Sequence, residues 1–261
     1  MFIALHDQNS LKRIRLQFVT LTLIVINVAI WLATAGQPLG AFVEASSAFY
    51  TFGFIPAVVR DVAELPPELV LIPESANYIT YAFFHAGFMH LAGNMLFLWV
   101  FGDNVEDSTG HVRFLIFYIL CAIAGAFAHQ LAVPDSEVPL VGASGAAAGV
   151  VGAYLFLHPK VKLWVLLLGR IPLRLSAFWV LGAWIAFQVY SFVANSGSEV
   201  SWAAHIGGFI AGMLLIIVFK RRDVPLFDAN LSAKNTNYTS SDSSNMENPK
   251  VNRNQQWGRG D

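Results

Sequence analysis

Along most of its length this chain is too apolar, for too many residues at a time, to fold as an ordinary soluble domain. Runs without a formal charge recur at Leu16–Ala35, about Ile79–Phe101, Phe114–Val133, Ser144–Leu157, Leu175–Val193 and Trp202–Phe219. About 20 apolar residues of helix cross the ~30 Å hydrocarbon layer of a bilayer. Lipid offers no hydrogen bonds, so the spanning backbone must satisfy its own, and helices do. The sequence therefore predicts an all-α membrane protein with six transmembrane helices. Only 13% of its 261 residues are charged, against roughly 25% in a typical soluble domain.

The charges that remain define the topology. Lys12, Arg13, Arg15, Arg113, Lys160, Lys162, Arg170, Arg174, Lys220, Arg221 and Arg222 fall on the side of the amino terminus, and Arg60 alone falls on the other side. The opposite loops instead carry Asp61, Glu64, Glu68, Glu74, Asp135, Glu137 and Glu199. Basic residues mark the cytoplasmic face, so both termini are expected there. Three regions follow: a cytoplasmic segment at 1–15, a six-span domain at 16–222 and a disordered polar tail at 223–261. The first run lacks a small-residue cleavage signature and reads as a retained anchor. Gly36–Tyr78, with prolines at 38, 56, 66, 67 and 73, is too long to be structureless and should hold short helices of its own. Leu163–Leu168 is apolar but too short to span, and reads as an interfacial segment. A net charge of −1 speaks for no nucleic-acid partner. The single cysteine, Cys121, excludes an internal disulfide and reads as core packing.

Three polar motifs interrupt these runs: His90-Leu91-Ala92-Gly93-Asn94, Gly142-Ala143-Ser144-Gly145 and Ala204-His205-Ile206-Gly207-Gly208. Such residues are costly in hydrocarbon and mark function when partners can be named. Counted back from the charged cytoplasmic markers Asp103, Lys160 and Lys220 at ~1.5 Å per residue, His90, Ser144 and His205 lie ~20, ~24 and ~22 Å from those markers. They share one layer, some ~5–10 Å below the outer surface. The fourth run rises only ~21 Å. It is expected as a short, recessed fourth helix, entered by a loop that dips inward where protein or a water-filled cavity encloses it.

The chemistry follows from the residue types. Ser144 at a helix start meets free N–H groups and a favourable dipole, but a serine needs a base to become nucleophilic. His205 is the histidine at matching depth on the sixth run. Gly208 and Gly212, facing Gly145, Gly149 and Gly152, would let the two helices approach closely. His90 and Asn94, spaced i and i+4, share a helix face. With the Ser144 N–H they could form an oxyanion hole. His85, Gly142, Gly145 and Gly208 are candidate supports. Bland readings stand beside these. Gly-x-Ser-Gly in a small-residue helix is most often packing, and a membrane histidine can be structural or bind an ion. His129 reads as interfacial, His6, His111 and His158 as surface residues, and Trp31, Trp99, Trp179, Trp184 and Trp202 as core or interface anchors. Glu199 lies in an outer loop and is not assigned.

At these residues the chain resembles the rhomboid family of intramembrane serine proteases. The likeness rests on His85, His90-x-x-x-Asn94, Gly142-Ala143-Ser144-Gly145 and Ala204-His205 with Gly207-Gly208. It extends over about Ile79–Phe219, including Gly102-Asp103-Asn104-Val105-Glu106-Asp107. The resemblance implies a six-helix fold, Ser144 as nucleophile, His205 as base, and His90 and Asn94 at the oxyanion. It also implies transmembrane protein substrates and no metal or organic cofactor. Two features that some members carry are missing. There is no Trp-Arg pair in Gly36–Tyr78, and Ala148 stands where some members carry a tyrosine that stacks on the histidine. A bacterial inner membrane is the expected location. The competing expectations are a non-catalytic client-binding protein of the same fold, and a small transporter using His85, His90 and His205. The transporter would leave the Gly-flanked serine unexplained, and no inverted repeat is evident.

Overall fold

The computed structural model describes residues 2–7, 9–35, 45–167, 170–194 and 201–227. The glycines on two helices decide how the chain is built. Ser144–Leu157 forms helix α7 and Trp202–Phe219 forms helix α9 (labels follow chain order). A Cβ on Gly208 would strike the carbonyl oxygen of Gly145, and one on Gly212 would strike that of Gly149. The two backbones therefore touch along successive turns. Helix α6, His111–Ala132, closes on the same contact: Gly125 Cα lies 3.4 Å from where a Gly145 Cβ would stand, and Cys121 packs against Gly149. Nearly every residue of α7 is buried as a result. A helix apolar all round belongs inside, and α7 is the post around which the others gather.

The remaining helices are α1 (Phe18–Ala35), α2 (Ala45–Phe52), α3 (Pro56–Val59), α4 (Asn77–Thr80), α5 (Phe88–Thr109) and α8 (Ala177–Val193), with short 3-10 turns at Pro67–Leu69, Glu74–Ala76 and Tyr81–Phe83. Among the described residues α6 and α9 are long and apolar enough to cross a membrane. A third candidate arises if Glu74–Phe83 and α5, bent by 86°, count as one span; Phe18–Thr34, Ser144–Leu157 and Ala177–Val193 are shorter apolar helices. The chain is thus a mostly helical membrane bundle. The expected short helices between the first two runs are present at α2, α3 and the 3-10 turns, while 36–44 lie outside the described residues.

Three expectations need correction. The second run is not one helix. Asn77 Nδ2 donates to the carbonyls of Thr51 and Gly53, and Thr80 Oγ1 to that of Phe52. These bonds hold the first part in the loop, and α5 starts afresh after extended backbone at Phe84 and Gly87. Second, the fold is not purely α. Phe2–Asp7 (β1), Lys162–Leu167 (β2) and Ile171–Ser176 (β3) make an antiparallel sheet in the order β1-β2-β3. The segment read as interfacial is therefore a strand through Leu167, and Leu168 lies outside the described residues. Arg174 stacks over Trp164 in that sheet at 4.9 Å. Third, the tail does not leave the bundle at 223. Val224 is buried, Asp223 pairs with Arg13 at 2.7 Å, and Phe227 packs edge-on against Phe156. The Arg13 guanidinium holds the Asp223 carboxyl below its usual range. Residues 228–261 lie outside the described residues.

The acidic run after Phe101 is the clasp of the charged end. Glu106, fully buried, accepts from the N–H groups of Val19 and Thr20 and from Thr20 Oγ1, capping α1 at its first turn. It also meets His111 Nδ1, so His111 is a partner rather than a free surface residue. Asp107 accepts three successive backbone N–H groups, those of Lys12, Arg13 and Ile14. Carboxylates at free N–H groups are favoured by both hydrogen bonding and the helix dipole. Asp7 on β1 accepts from Asn104 Nδ2 at 2.8 Å and Tyr154 Oη at 2.7 Å, which ties the sheet to α5 and α7. Burial nonetheless pushes the Asp7 carboxyl above its ordinary range. Removing Glu106 leaves the buried N–H and hydroxyl of Thr20 unpaired. Glu106→Ala is expected to cost about 2–4 kcal/mol, the penalty of leaving buried donors unsatisfied, read as a lowered unfolding midpoint in detergent.

Candidate active site

Ser144 is the first residue of α7, and the loop before it is held from two sides. Gly142 N–H donates to Tyr81 O at 3.0 Å, and Ala143 N–H donates to His85 Nε2 at 3.3 Å. His85 is fully buried and its ring meets that of His90 edge-on at 5.1 Å. It therefore braces the residue just before Ser144. Gly142 has φ +122°, a conformation that favours glycine, and a Cβ there would lie 2.5 Å from His90 Nε2. The backbone approaches the imidazole that closely only because no side chain intervenes.

His90 and Asn94 lie in the first two turns of α5. Asn94 Nδ2 is buried without a hydrogen-bond partner among the described residues, and it lies 3.6 Å from where a Gly142 Cβ would be. A buried donor with no acceptor is unusual. Here it faces the turn that leads into Ser144, beside His90. The arrangement thus gathers His85, His90, Asn94, Gly142 and the start of α7.

His205 sits in the first turn of α9, whose N-cap is Ser201; the Ser201 hydroxyl accepts from Ala204 N–H and also bonds His129 Nδ1 at 2.7 Å. His129 is thus held by the α9 cap. The Gly145–Gly208 contact brings the residue after Ser144 against the helix that carries His205, and Ala204 O lies 3.5 Å from the Cβ position of Gly145. Ser144 and His205 are therefore on adjoining backbones. The described hydrogen bond of His205 runs through Nδ1 to Gln188 Oε1 at 2.7 Å, and no bond from Ser144 Oγ to the ring is among those described. Trp184 stacks on the same ring, with centroids 6.1 Å apart and planes 28° from parallel, and Trp202 meets it edge-on.

Sequence reasoning missed Gln188 and the contact of Trp184. The signal was there for the glutamine: an uncharged but strongly polar side chain amid an apolar run is costly and invites a named partner. Ala148 is buried and supplies no ring. Glu199 lies outside the described residues. His158 rests against Tyr154 at 5.4 Å rather than standing free at the surface. Among the described residues no group of three or more His, Cys, Asp or Glu is placed to hold a metal ion.

Residues 73–222 match the Rhomboid domain family. Rhomboid protein 1, mitochondrial, of Saccharomyces cerevisiae is 35% identical over 154 residues, covering 55% of this chain and 41% of that protein. Rhomboid-related protein 2 of Mus musculus is 32% identical over 163 residues, covering 60% and 53%. Rhomboid protease GluP of Bacillus subtilis is 35% identical over 128 residues, covering 49% and 23%. The chain spans about half the length, or less, of these curated relatives.

Proposed function

The chain belongs to the rhomboid family, and from that membership we propose that it is an intramembrane serine endopeptidase acting on membrane-anchored proteins. The observation that carries the reading is the contact of α7 with α9 at Gly145 and Gly208, which sets the serine and histidine helices backbone to backbone. In the proposed reaction Ser144 Oγ attacks the scissile carbonyl while His205 Nε2 takes its proton. The oxyanion that forms is held by Asn94 Nδ2, a protonated nitrogen of His90 and the Ser144 N–H. His205 then protonates the leaving amine, and a water deprotonated by His205 releases the acyl group. The Ser144–His205 hydrogen bond closes with substrate, as catalytic bonds that are long without ligand often do. Asn94, a buried donor awaiting an acceptor, supports the oxyanion assignment.

The proposed topology has six spans, with α7 as the short, recessed fourth and both termini cytoplasmic. Arg13, Asp107, Ser108, Arg221 and Asp223 support it, since they join the amino-terminal segment to the ends of α5 and α9. So does the Arg60–Asp135 pair at 2.6 Å, which joins two loops assigned to the other side. The location we propose is a bacterial inner membrane.

The test is cleavage of a model single-span substrate in liposomes, alongside labelling by a fluorophosphonate, which reacts only with an activated hydroxyl. A chain that cuts no such substrate and takes no label at Ser144 contradicts the reading, and a non-catalytic client-binding role would then stand. Asn94→Ala is expected to lower kcat by about 10²–10³-fold. An unchanged kcat would remove Asn94 from the oxyanion hole.

A further inference from the structure

The base is oriented from an unexpected direction. Ala148 leaves no aromatic ring on α7 to stack on His205, and both the ring that stacks on it and its hydrogen-bond partner come from α8, with Trp202 of α9 edge-on beside them. Trp184 and Gln188 are i and i+4 on α8, so both project from one face. Trp184 lies against the plane of the imidazole, and Gln188 grips its rim. Gln188 is only 4% exposed, so water does not compete freely for its amide.

An amide oxygen accepts and cannot donate. With Gln188 Oε1 at 2.7 Å from Nδ1, the hydrogen of the neutral ring must sit on Nδ1. Its lone pair is then on Nε2, the nitrogen that is free to take a proton. We propose that Gln188 is the positioning residue of the base: it fixes the Nδ1–H tautomer of His205 and, with Trp184, sets the ring's angle, so that Nε2 faces Ser144. The inference rests on the protease reading given above. It deepens that reading by giving the dyad a neutral third member, supplied by α8. As the serine proton moves to Nε2, the ring becomes imidazolium, and the amide dipole stabilises the charge without itself taking a proton. The titratable neighbour acting on His205 is His90, across from it on α5.

Gln188→Leu removes the acceptor at similar size. It is expected to lower kcat by about 10²-fold, the low end of what a positioned general base contributes, with KM unchanged. Gln188→Glu restores an acceptor at Nδ1 and adds a negative charge that favours the imidazolium. It should retain turnover at high pH and move the acidic limb of the kcat profile up by about one pH unit. A merely structural glutamine would leave that limb in place. The tautomer is read directly by nitrogen NMR of the full chain labelled at histidine, with the His205 signals assigned by His205→Asn. The wild type should show Nδ1–H, and Gln188→Leu should lose that preference. An Nε2–H tautomer in the wild type, or an unmoved limb in Gln188→Glu, overturns the proposal. Should Gln188→Leu fail to fold, those two measurements still decide. If the wild type shows no turnover that depends on Ser144, the protease reading fails by itself, and the tautomer still tests the role of Gln188.

Discussion

Ser144→Ala is expected to stop cleavage of a single-span substrate, and His205→Ala to do the same. Members of a catalytic unit are non-additive, so each variant should lose about as much as the pair together, about 10⁴-fold or more. The reason is that neither group works alone. A serine hydroxyl at neutral pH is a poor nucleophile without a base beside it, and an imidazole has no proton to take without the serine. The measurement is the initial rate of substrate cutting in liposomes by purified variants whose melting points match the wild type. A chelator should leave the wild-type rate unaltered. Full activity retained by either variant would end the mechanism.

Much of the candidate site could be proposed from the sequence because polar side chains are expensive where these stand. Ser144, His205, His90 and Asn94 interrupt apolar runs, and their depth could be counted along regular helices. The boundaries of α7 and α9 follow directly from Pro159, Lys220 and the glycine-flanked motifs. Other parts depend on contacts that no local pattern encodes. The break before α5 falls within Phe83, Phe84 and Ala86, residues as apolar as a span. It is set instead by Asn77 and Thr80 bonding to carbonyls at 51–53. Strand β1 pairs with β2, which is remote in sequence, and neither alternates clearly enough to announce a sheet. The family-like run Gly102–Asp107 was visible as a motif. Its work as a cap on α1 and an anchor for residues 12–14 was not, because the donors lie far upstream.

The largest expected effect on folding lies at the α7–α9 contact. Gly208→Val and Gly212→Val would each place a branched side chain where the partner helix has its carbonyl oxygen. Neither helix can yield by turning a rotamer, since the obstacle is backbone. The two axes must separate, and apolar contact along the whole of α7 is lost with them. A cost of roughly 4–5 kcal/mol per substitution is expected, at the exceptional end for single changes. Gly182→Ala is the matched control. Nothing lies within 4 Å of a Cβ at that position on α8, so it should be neutral or slightly stabilising. The comparison is made by denaturation in detergent, following helical signal. A Gly208→Val protein that melts with the wild type would show that the backbones are not in contact there.

The burial of α7 on every side has a consequence for how the protein meets membranes of different thickness. Hydrophobic mismatch acts on surfaces that lipid touches, and it is relieved there by tilting or local thinning. From Gly145 to Tyr154 this helix meets protein alone. A thicker or thinner bilayer would therefore tilt the peripheral helices first. The height of the serine would still be fixed by the glycine carbonyls and Cα atoms that clamp its helix, as a bolt is located by its housing rather than by the fluid outside.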